Sequence, residues 1–166
     1  MNRRHFLLLT GLAGLAMSPI SAPSRAKTMN KNLPDWEKWQ LSEAEWRNRL
    51  SPEQFHILRE AGTERAFTSP LNDEKRTGRF QCAGCHLDLF TSEMKFDSGT
   101  GWPSFFTVIE GHIETSTDFK LIYPRTEYHC ARCGGHHGHV FKDGPQPTGL
   151  RYCNNGLALH FVPAPS

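Results

Sequence analysis

Four of the five cysteines stand in two Cys-x-x-Cys pairs, Cys82/Cys85 and Cys130/Cys133, with 44 residues between the pairs. Thiolates at that spacing reach one ion from one side, so two such pairs complete a tetrahedral shell. The intervening stretch is too long for a single small finger. The ion would therefore join two distant turns of one domain as a permanent cross-link. A shell of four sulfurs has no open position, which makes the expected ion structural and not a Lewis acid. One structural zinc held by Cys82, Cys85, Cys130 and Cys133 is the reading that best suits the pattern. Histidine ligands drawn from His129, His136 or His139, iron in place of zinc, and a redox disulfide within each pair are the alternatives. The fifth cysteine, Cys153, has no Cys-x-x-Cys partner.

At 166 residues the chain is one domain with short appendages, small enough for a metal to supply much of its stability. Residues 1–26 read as an export signal: Arg3-Arg4, an apolar run from Phe6 to Met17, and a small-x-Ala cleavage site at Ser24-Arg25-Ala26. Arg3-Arg4-His5-Phe6-Leu7 resembles a twin-arginine signal, although Asn2 stands where Ser or Thr is usual. That route carries folded proteins, which suits a metal loaded before export, and the expected location is a bacterial periplasm. General secretion and an uncleaved membrane anchor are the alternatives, the apolar run being short for a spanning helix. The whole chain has a net charge of +2. Without Arg3, Arg4 and Arg25 there remain 16 basic against 17 acidic residues, near −1, so nothing in the charge favours nucleic acid.

Residues 27–41 read as an N-terminal arm, with Trp36 or Trp39 docked on the domain. Ser42-Glu43-Ala44-Glu45 and Ser51-Pro52-Glu53-Gln54 are capping boxes that predict two short helices, to about Arg49 and to a stop at Gly62. The rest is strand and turn: Arg79 to Cys82, a run through Leu87 to Phe90, Thr107 to Ile109, Lys120 to Tyr123, Thr126 to Cys130 and His139 to Phe141. A last strand, from Arg151 to Val162, is turned at Asn154-Asn155-Gly156, which would put Cys153 at a strand mouth. Within it Leu157, Leu159 and Phe161 alternate with Ala158 and His160, a half-buried pattern. The fold class is mainly β with two short N-terminal helices.

A lone cysteine is most often a small buried hydrophobe. Cys153, however, follows Arg151 by two residues, so both face one side of a strand, and His136 and His139 arrive from the preceding segment. A nearby guanidinium or imidazolium favours the thiolate. The residues alone thus point to a cysteine nucleophile or redox centre with a histidine partner.

Taken together, the motifs over residues 42–163 resemble the methionine-R-sulfoxide reductases. The resemblance is carried by Gly62-Thr63-Glu64 with Phe67, both Cys-x-x-Cys pairs, Asp97-Ser98-Gly99-Thr100-Gly101-Trp102-Pro103-Ser104-Phe105, His136-x-Gly138-His139-Val140-Phe141-x-Asp143-Gly144-Pro145, and Arg151-Tyr152-Cys153-x-Asn155. It implies a fold of two antiparallel sheets, with the zinc opposite the active site. It implies that Cys153 attacks the sulfoxide sulfur and becomes a sulfenic acid, with His136 and His139 serving the sulfoxide oxygen. Arg151 would favour the thiolate, Asp143 would orient Arg151, and Asn155 would be a further polar member. Trp102 and Phe161 would bind substrate, while His137, at a variable place, reads as an exposed bystander. The implied partners are methionine R-sulfoxide, free or in oxidised proteins, and a thioredoxin-like protein or small thiol as reductant, acting on a monomer. Many members carry a resolving cysteine where this chain has Thr100, so reduction of Cys153 is expected from outside, a Cys-x-x-Cys cysteine resolving it with release of zinc being the alternative. Asn154 and Gly156-Leu157 also depart from the usual pattern beside the reactive cysteine. The competing readings are a zinc-ribbon-like binding module, which leaves Cys153 and Trp102 without a role, and another thiol oxidoreductase or a peroxidase.

Overall fold

The computed structural model describes residues 30–119 and 123–165. The expected export signal at residues 1–26 and residues 120–122 of the expected strand at Lys120–Tyr123 lie outside the described residues. Among the described residues no helix is long and apolar enough to cross a membrane.

Both capping boxes form. Ser42 accepts from the Glu45 amide while Glu45 reaches back, opening α1 (Glu43–Arg49). Ser51 and Gln54 do the same ahead of α2 (Pro52–Glu60). Each helix is too short to persist alone, and each is held by burying Trp46 from α1 and Phe55, Ile57 and Leu58 from α2. The left-handed residue that ends α2 is Ala61 (φ 52°), and not Gly62 as expected. Gly62 serves close approach instead, since a Cβ there would come within 2.4 Å of the His56 ring. In the arm, a 3-10 turn at Trp36–Trp39 stacks Trp39 on Trp46 at 6.4 Å, with the Arg49 and Arg132 guanidinium groups over its ring.

Among the described residues nine strands form two antiparallel sheets. They are β1 (Gly78–Cys82), β2 (Asp88–Thr91), β3 (Lys95–Phe96), β4 (Ser104–Phe105), β5 (Ile113–Asp118), β6 (Arg125–Cys130), β7 (His136–Phe141), β8 (Arg151–Asn154) and β9 (Leu159–Pro163). The smaller sheet has the order β2-β1-β9, and the larger β3-β4-β8-β7-β6-β5. Aromatic side chains join the two: Phe90 of β2 stacks on Phe105 of β4 at 3.9 Å, and Phe80 of β1 meets the same ring edge-on at 5.0 Å. These rings are fully buried and form the centre of the core.

Three expectations need correction. No strand forms at Thr107–Ile109; the pairing segment is β4, because Phe105 is drawn into the inter-sheet stack, and the Ile109 amide bonds to Leu89 O at 3.0 Å while its carbonyl accepts from the His112 amide at 3.1 Å. The final run is not one alternating strand. A 3-10 turn at Gly156–Ala158 carries the chain from the larger sheet to the smaller and shifts its phase, leaving Leu157 40% exposed while Ala158 and Leu159 are buried. Cys153 is not at a strand mouth but inside β8, opposite Ser104 of β4 on one side and His139 of β7 on the other.

The β7–β8 contact tolerates no side chain at Gly138, where a Cβ would lie 2.0 Å from the Cys153 carbonyl oxygen. Gly138→Ala should therefore lower the unfolding free energy by at least ~2 kcal/mol in urea titrations. Gly84→Ala, whose Cβ meets ordinary contacts at 3.4 Å, should stay within about 1 kcal/mol of the parent.

Candidate active site and metal centre

The two Cys-x-x-Cys turns converge. Cys82 ends β1 and Cys130 ends β6, so one turn comes from each sheet. The four Sγ atoms lie within 4.8 Å of one another, with Cys82–Cys133 at 3.7 Å and Cys85–Cys130 at 3.5 Å. A tetrahedron with metal–sulfur bonds of about 2.3 Å has edges of about 3.8 Å, so the cluster has the size of a four-thiolate metal centre. All four residues are buried, and none is in a disulfide. The helices brace both turns: Arg49 donates to Gly84 O at 2.9 Å and Arg59 to Cys133 O at 2.9 Å.

Cys153 opens into a cleft of about 120 Å³ bounded by Thr63, Trp102, Arg125, His139, Phe141 and Asn155. The Trp102 indole N–H donates to Glu64 O at 3.1 Å, which sets the ring as one wall. Glu64 is itself buried, and its carboxylate accepts from the Gly156 and Leu157 amides of the turn after β8. One buried acid thus positions both the indole wall and the exit of the cysteine strand. Behind Cys153, Arg151 makes a two-pronged pair with Asp143, both bonds 2.9 Å. Burial pushes the Cys153 thiol up, while Arg151 and the Thr100 hydroxyl pull it down by less. Arginine acts in the expected direction, but desolvation outweighs it and the resting sulfur keeps its proton.

The two histidines hold different stations. His139 lines the cleft, and its Nε2 pairs with Asp118 Oδ2 at 2.8 Å. Asp118 in turn takes a 2.6 Å bond from Arg125. Burial lowers the His139 pKa against the pull of Asp118, so its resting ring is neutral near pH 7. His136 is buried behind it, 5.6 Å from the His139 ring, with Nδ1 2.6 Å from Glu127 Oε1.

Asn155 borders the cleft, but its amide is committed to backbone: Oδ1 accepts from Glu64 N at 3.0 Å and Nδ2 donates to His137 O at 2.9 Å. Phe161 is not brought to the cleft. It lies on β9 against Phe80 at 5.0 Å and lines a separate cavity of about 530 Å³ that has no cysteine in its wall. His137 is no exposed bystander either. It is 0% exposed, stacked on Tyr128, with Nδ1 3.2 Å from Asn154 Oδ1. The Tyr128 hydroxyl donates to that same oxygen at 3.0 Å. Burial pushes the His137 pKa down to about 3. Sequence reasoning does not reach Asp118, Glu127 or Glu64 as site residues. Asp118 and Glu127 depend on cross-strand register, for which a lone acid in a polar strand carries no signal; Glu64, in the loop after α2, stands in the Gly62-Thr63-Glu64 block, which carries the resemblance but gives it no role.

Comparison with known proteins gives a consistent picture. The family model described as the SelR domain matches residues 50–163. The chain is 53% identical over 123 residues to a peptide methionine sulfoxide reductase MsrB of Agrobacterium fabrum, covering 74% of this chain and 91% of that protein. It is likewise 53% identical over 123 residues to the MsrB of Thiobacillus denitrificans, covering 74% and 93%. Peptide methionine sulfoxide reductase B1, chloroplastic, of Arabidopsis thaliana is 42% identical over 174 residues, covering 95% of this chain and 86% of that protein.

The buried His137 makes stability depend on pH with a definite sign. Its folded pKa of about 3 lies below the ordinary 6.5. The unfolded chain therefore takes up a proton that the folded chain refuses, and stability is lost as pH falls from 6.5 towards 3. In urea titrations between pH 7 and pH 4, the parent should lose a few kcal/mol more than His137→Leu does. Equal slopes for the two proteins would contradict a neutral buried imidazole.

Proposed function

The chain belongs to the methionine-R-sulfoxide reductase family, whose thiol-dependent reduction of methionine R-sulfoxide it performs, and we propose that Cys153 is the sulfur that attacks. The observation that supports this assignment is the position of Cys153 between the Trp102 wall and the His139 ring, with the Arg151–Asp143 pair behind it. The enzyme is an oxidoreductase acting on sulfur groups.

The site's proton inventory suits the reaction. A thiol and a sulfoxide give a sulfenic acid and a thioether with no net proton gained or lost. At rest the proton is on Cys153, held there by burial, and His139 is neutral. His139 takes that proton and delivers it to the sulfoxide oxygen as the S–O bond weakens. The Cys153 sulfur attacks the sulfoxide sulfur, the oxygen passes to Cys153, and methionine leaves reduced by two electrons. Asp118 fixes the ring of His139 and supports its transient charge, and Glu127 does the same for His136 behind it. Arg151, oriented by Asp143, stabilises the thiolate. Trp102 receives the substrate methyl group, and its face favours a sulfonium-like sulfur as charge develops. Asn155 holds the loop geometry between Glu64 and His137 and does not act on the oxygen itself.

The four-cysteine cluster is assigned one structural zinc; a closed sulfur shell stabilises the fold and supplies no step of the reaction. The cluster is also too remote to resolve the sulfenic acid. Cys130 is two strands and three residues from Cys153, roughly 14 Å at ordinary sheet spacings, whereas a disulfide needs Cα atoms within about 7 Å. Reduction is therefore assigned to an external thiol, a thioredoxin-like dithiol or a small thiol, acting on Cys153 directly. The substrate is methionine R-sulfoxide, free or within oxidised proteins, and residues 1–26 are assigned to export to a bacterial periplasm, which the N-terminal mass of the exported protein would test.

With dithiothreitol as reductant, the protein should consume the R epimer of a methionine sulfoxide and leave the S epimer. Cys153→Ser should keep the fold and the metal and lose turnover, and His139→Phe should lower kcat by about 10²–10⁴. Consumption of both epimers alike, or turnover by Cys153→Ser, would sink the assignment. Elemental analysis should find about one zinc per chain, and Cys82→Ser should lose both the zinc and cooperative unfolding.

A further inference from the structure

Thr100 occupies the loop between Asp97 and Trp102, and its hydroxyl is one of the groups that pull the Cys153 thiol down against burial. It does not stand alone. Ser98 Oγ lies 2.8 Å from Thr100 Oγ1 and 2.8 Å from Ser104 Oγ. Ser104 is fully buried and is the cross-strand partner of Cys153. Three hydroxyls in a row therefore run from the strand partner of Cys153 to Thr100.

Counting protons gives the row a direction. Each hydroxyl has one proton to donate, and a thiolate can only accept. If Thr100 donates to the sulfur, its oxygen must accept from Ser98, and Ser98 must accept from Ser104. Ser104 can comply because its other acceptor, Trp102 O at 3.1 Å, is the longer contact. With the sulfur protonated that demand disappears, and Ser104 returns to Trp102 O. The chain thus strengthens when Cys153 ionises, each bond polarising the next.

We propose that Thr100 is a further catalytic residue, whose hydroxyl, aligned by the positioning residues Ser98 and Ser104, donates to Cys153 first as thiolate and then as sulfenic acid. The second half rests on the reductase reading; the first does not. After oxygen transfer, an external thiol attacks the Cys153 sulfur, a sulfur–sulfur bond forms, the S–O bond breaks and water leaves with the thiol's proton. A second thiol then displaces Cys153 and departs as a disulfide. Thr100, donating to the leaving oxygen, favours that departure. A position that cannot resolve the sulfenic acid covalently instead prepares it for an outside thiol.

The test is the pH profile of Cys153 alkylation by iodoacetamide, followed by mass on the Cys153 peptide of the full metal-loaded chain. Thr100→Val should move the profile up by about one unit, making alkylation near pH 7 ~10-fold slower than in the parent. Thr100→Ser should stay within about twofold of the parent, and Ser98→Ala should slow the reaction by a smaller factor than Thr100→Val. A Thr100→Val profile that superimposes on the parent's, or a Thr100→Ser profile slowed as much as Thr100→Val, overturns the proposal. If Thr100→Val fails to fold, the Ser98→Ala profile decides, an unshifted curve counting against it. Because alkylation needs no sulfoxide, a parent protein inert towards both epimers would overturn the reductase reading and leave the thiolate role of Thr100 standing or falling on its own profile.

Discussion

The meeting of four sulfurs at the ends of β1 and β6 is the constraint on which the other contacts depend. It ties the smaller sheet to the larger at one edge, while the Phe80, Phe90 and Phe105 rings join them through the middle. Both helices then have a surface to cover. Arg49 and Arg59 bond to carbonyls of the two turns, and Trp46 and Leu58 pack beside Gly84 and Gly135. A domain of this size buries limited apolar surface, and four buried thiols without a cation would be a liability. Burial first, and then the neighbouring sulfurs, push the Cys130 thiol well up. A metal bound there would turn that liability into a cross-link between the sheets.

With the frame fixed, β8 becomes the element that carries function. It is an interior strand, paired with β4 and β7, so Cys153 cannot shift along its register without breaking both ladders. Immediately afterwards the chain turns through Gly156–Ala158 and joins the other sheet as β9. The reactive sulfur therefore sits where the chain passes from one sheet to the other, and Glu64 clamps that passage by accepting two backbone amides. Trp102 is hung from the same residue's carbonyl. Substrate wall and nucleophile are in this way referred to one common point, which gives the near-attack geometry its rigidity.

The division between what the sequence discloses and what it hides follows the range of the interactions. Capping boxes act over three residues, and both helices begin where Ser42 and Ser51 say they do. The Cys-x-x-Cys spacing is equally local, and it is enough to predict a four-sulfur cluster. The carboxylate partners are hidden because they depend on pairing: Glu127 faces His139 in the β6–β7 register, and Asp118 reaches His139 from a strand further out. The resemblance puts Phe161 at the cleft, but a 3-10 turn sends its strand into the other sheet. His137 reads as exposed because it stands at a variable place of its motif, and the fold buries it. A strand covered on both faces has no polar side, and the first three residues of β7 are all buried.

Burying a nucleophile beside an arginine sets two effects against each other, and in this site burial wins. That outcome is chemically useful. A permanently exposed thiolate in an oxidising setting would be consumed by any electrophile or disulfide that reached it. A thiol held neutral by desolvation, next to a neutral imidazole that can accept its proton, ionises only as a polar group enters the cleft and replaces the missing solvation. In the proposed reaction the sulfoxide oxygen would be the group that draws the proton through His139. Reactivity is thereby coupled to occupancy. The hydroxyl row ending at Thr100 fits the same logic, because its donors align only when there is a charge to receive them. The Arg151–Asp143 pair differs in kind, since it is charged at all times and sets a constant background against which these occupancy-dependent terms act.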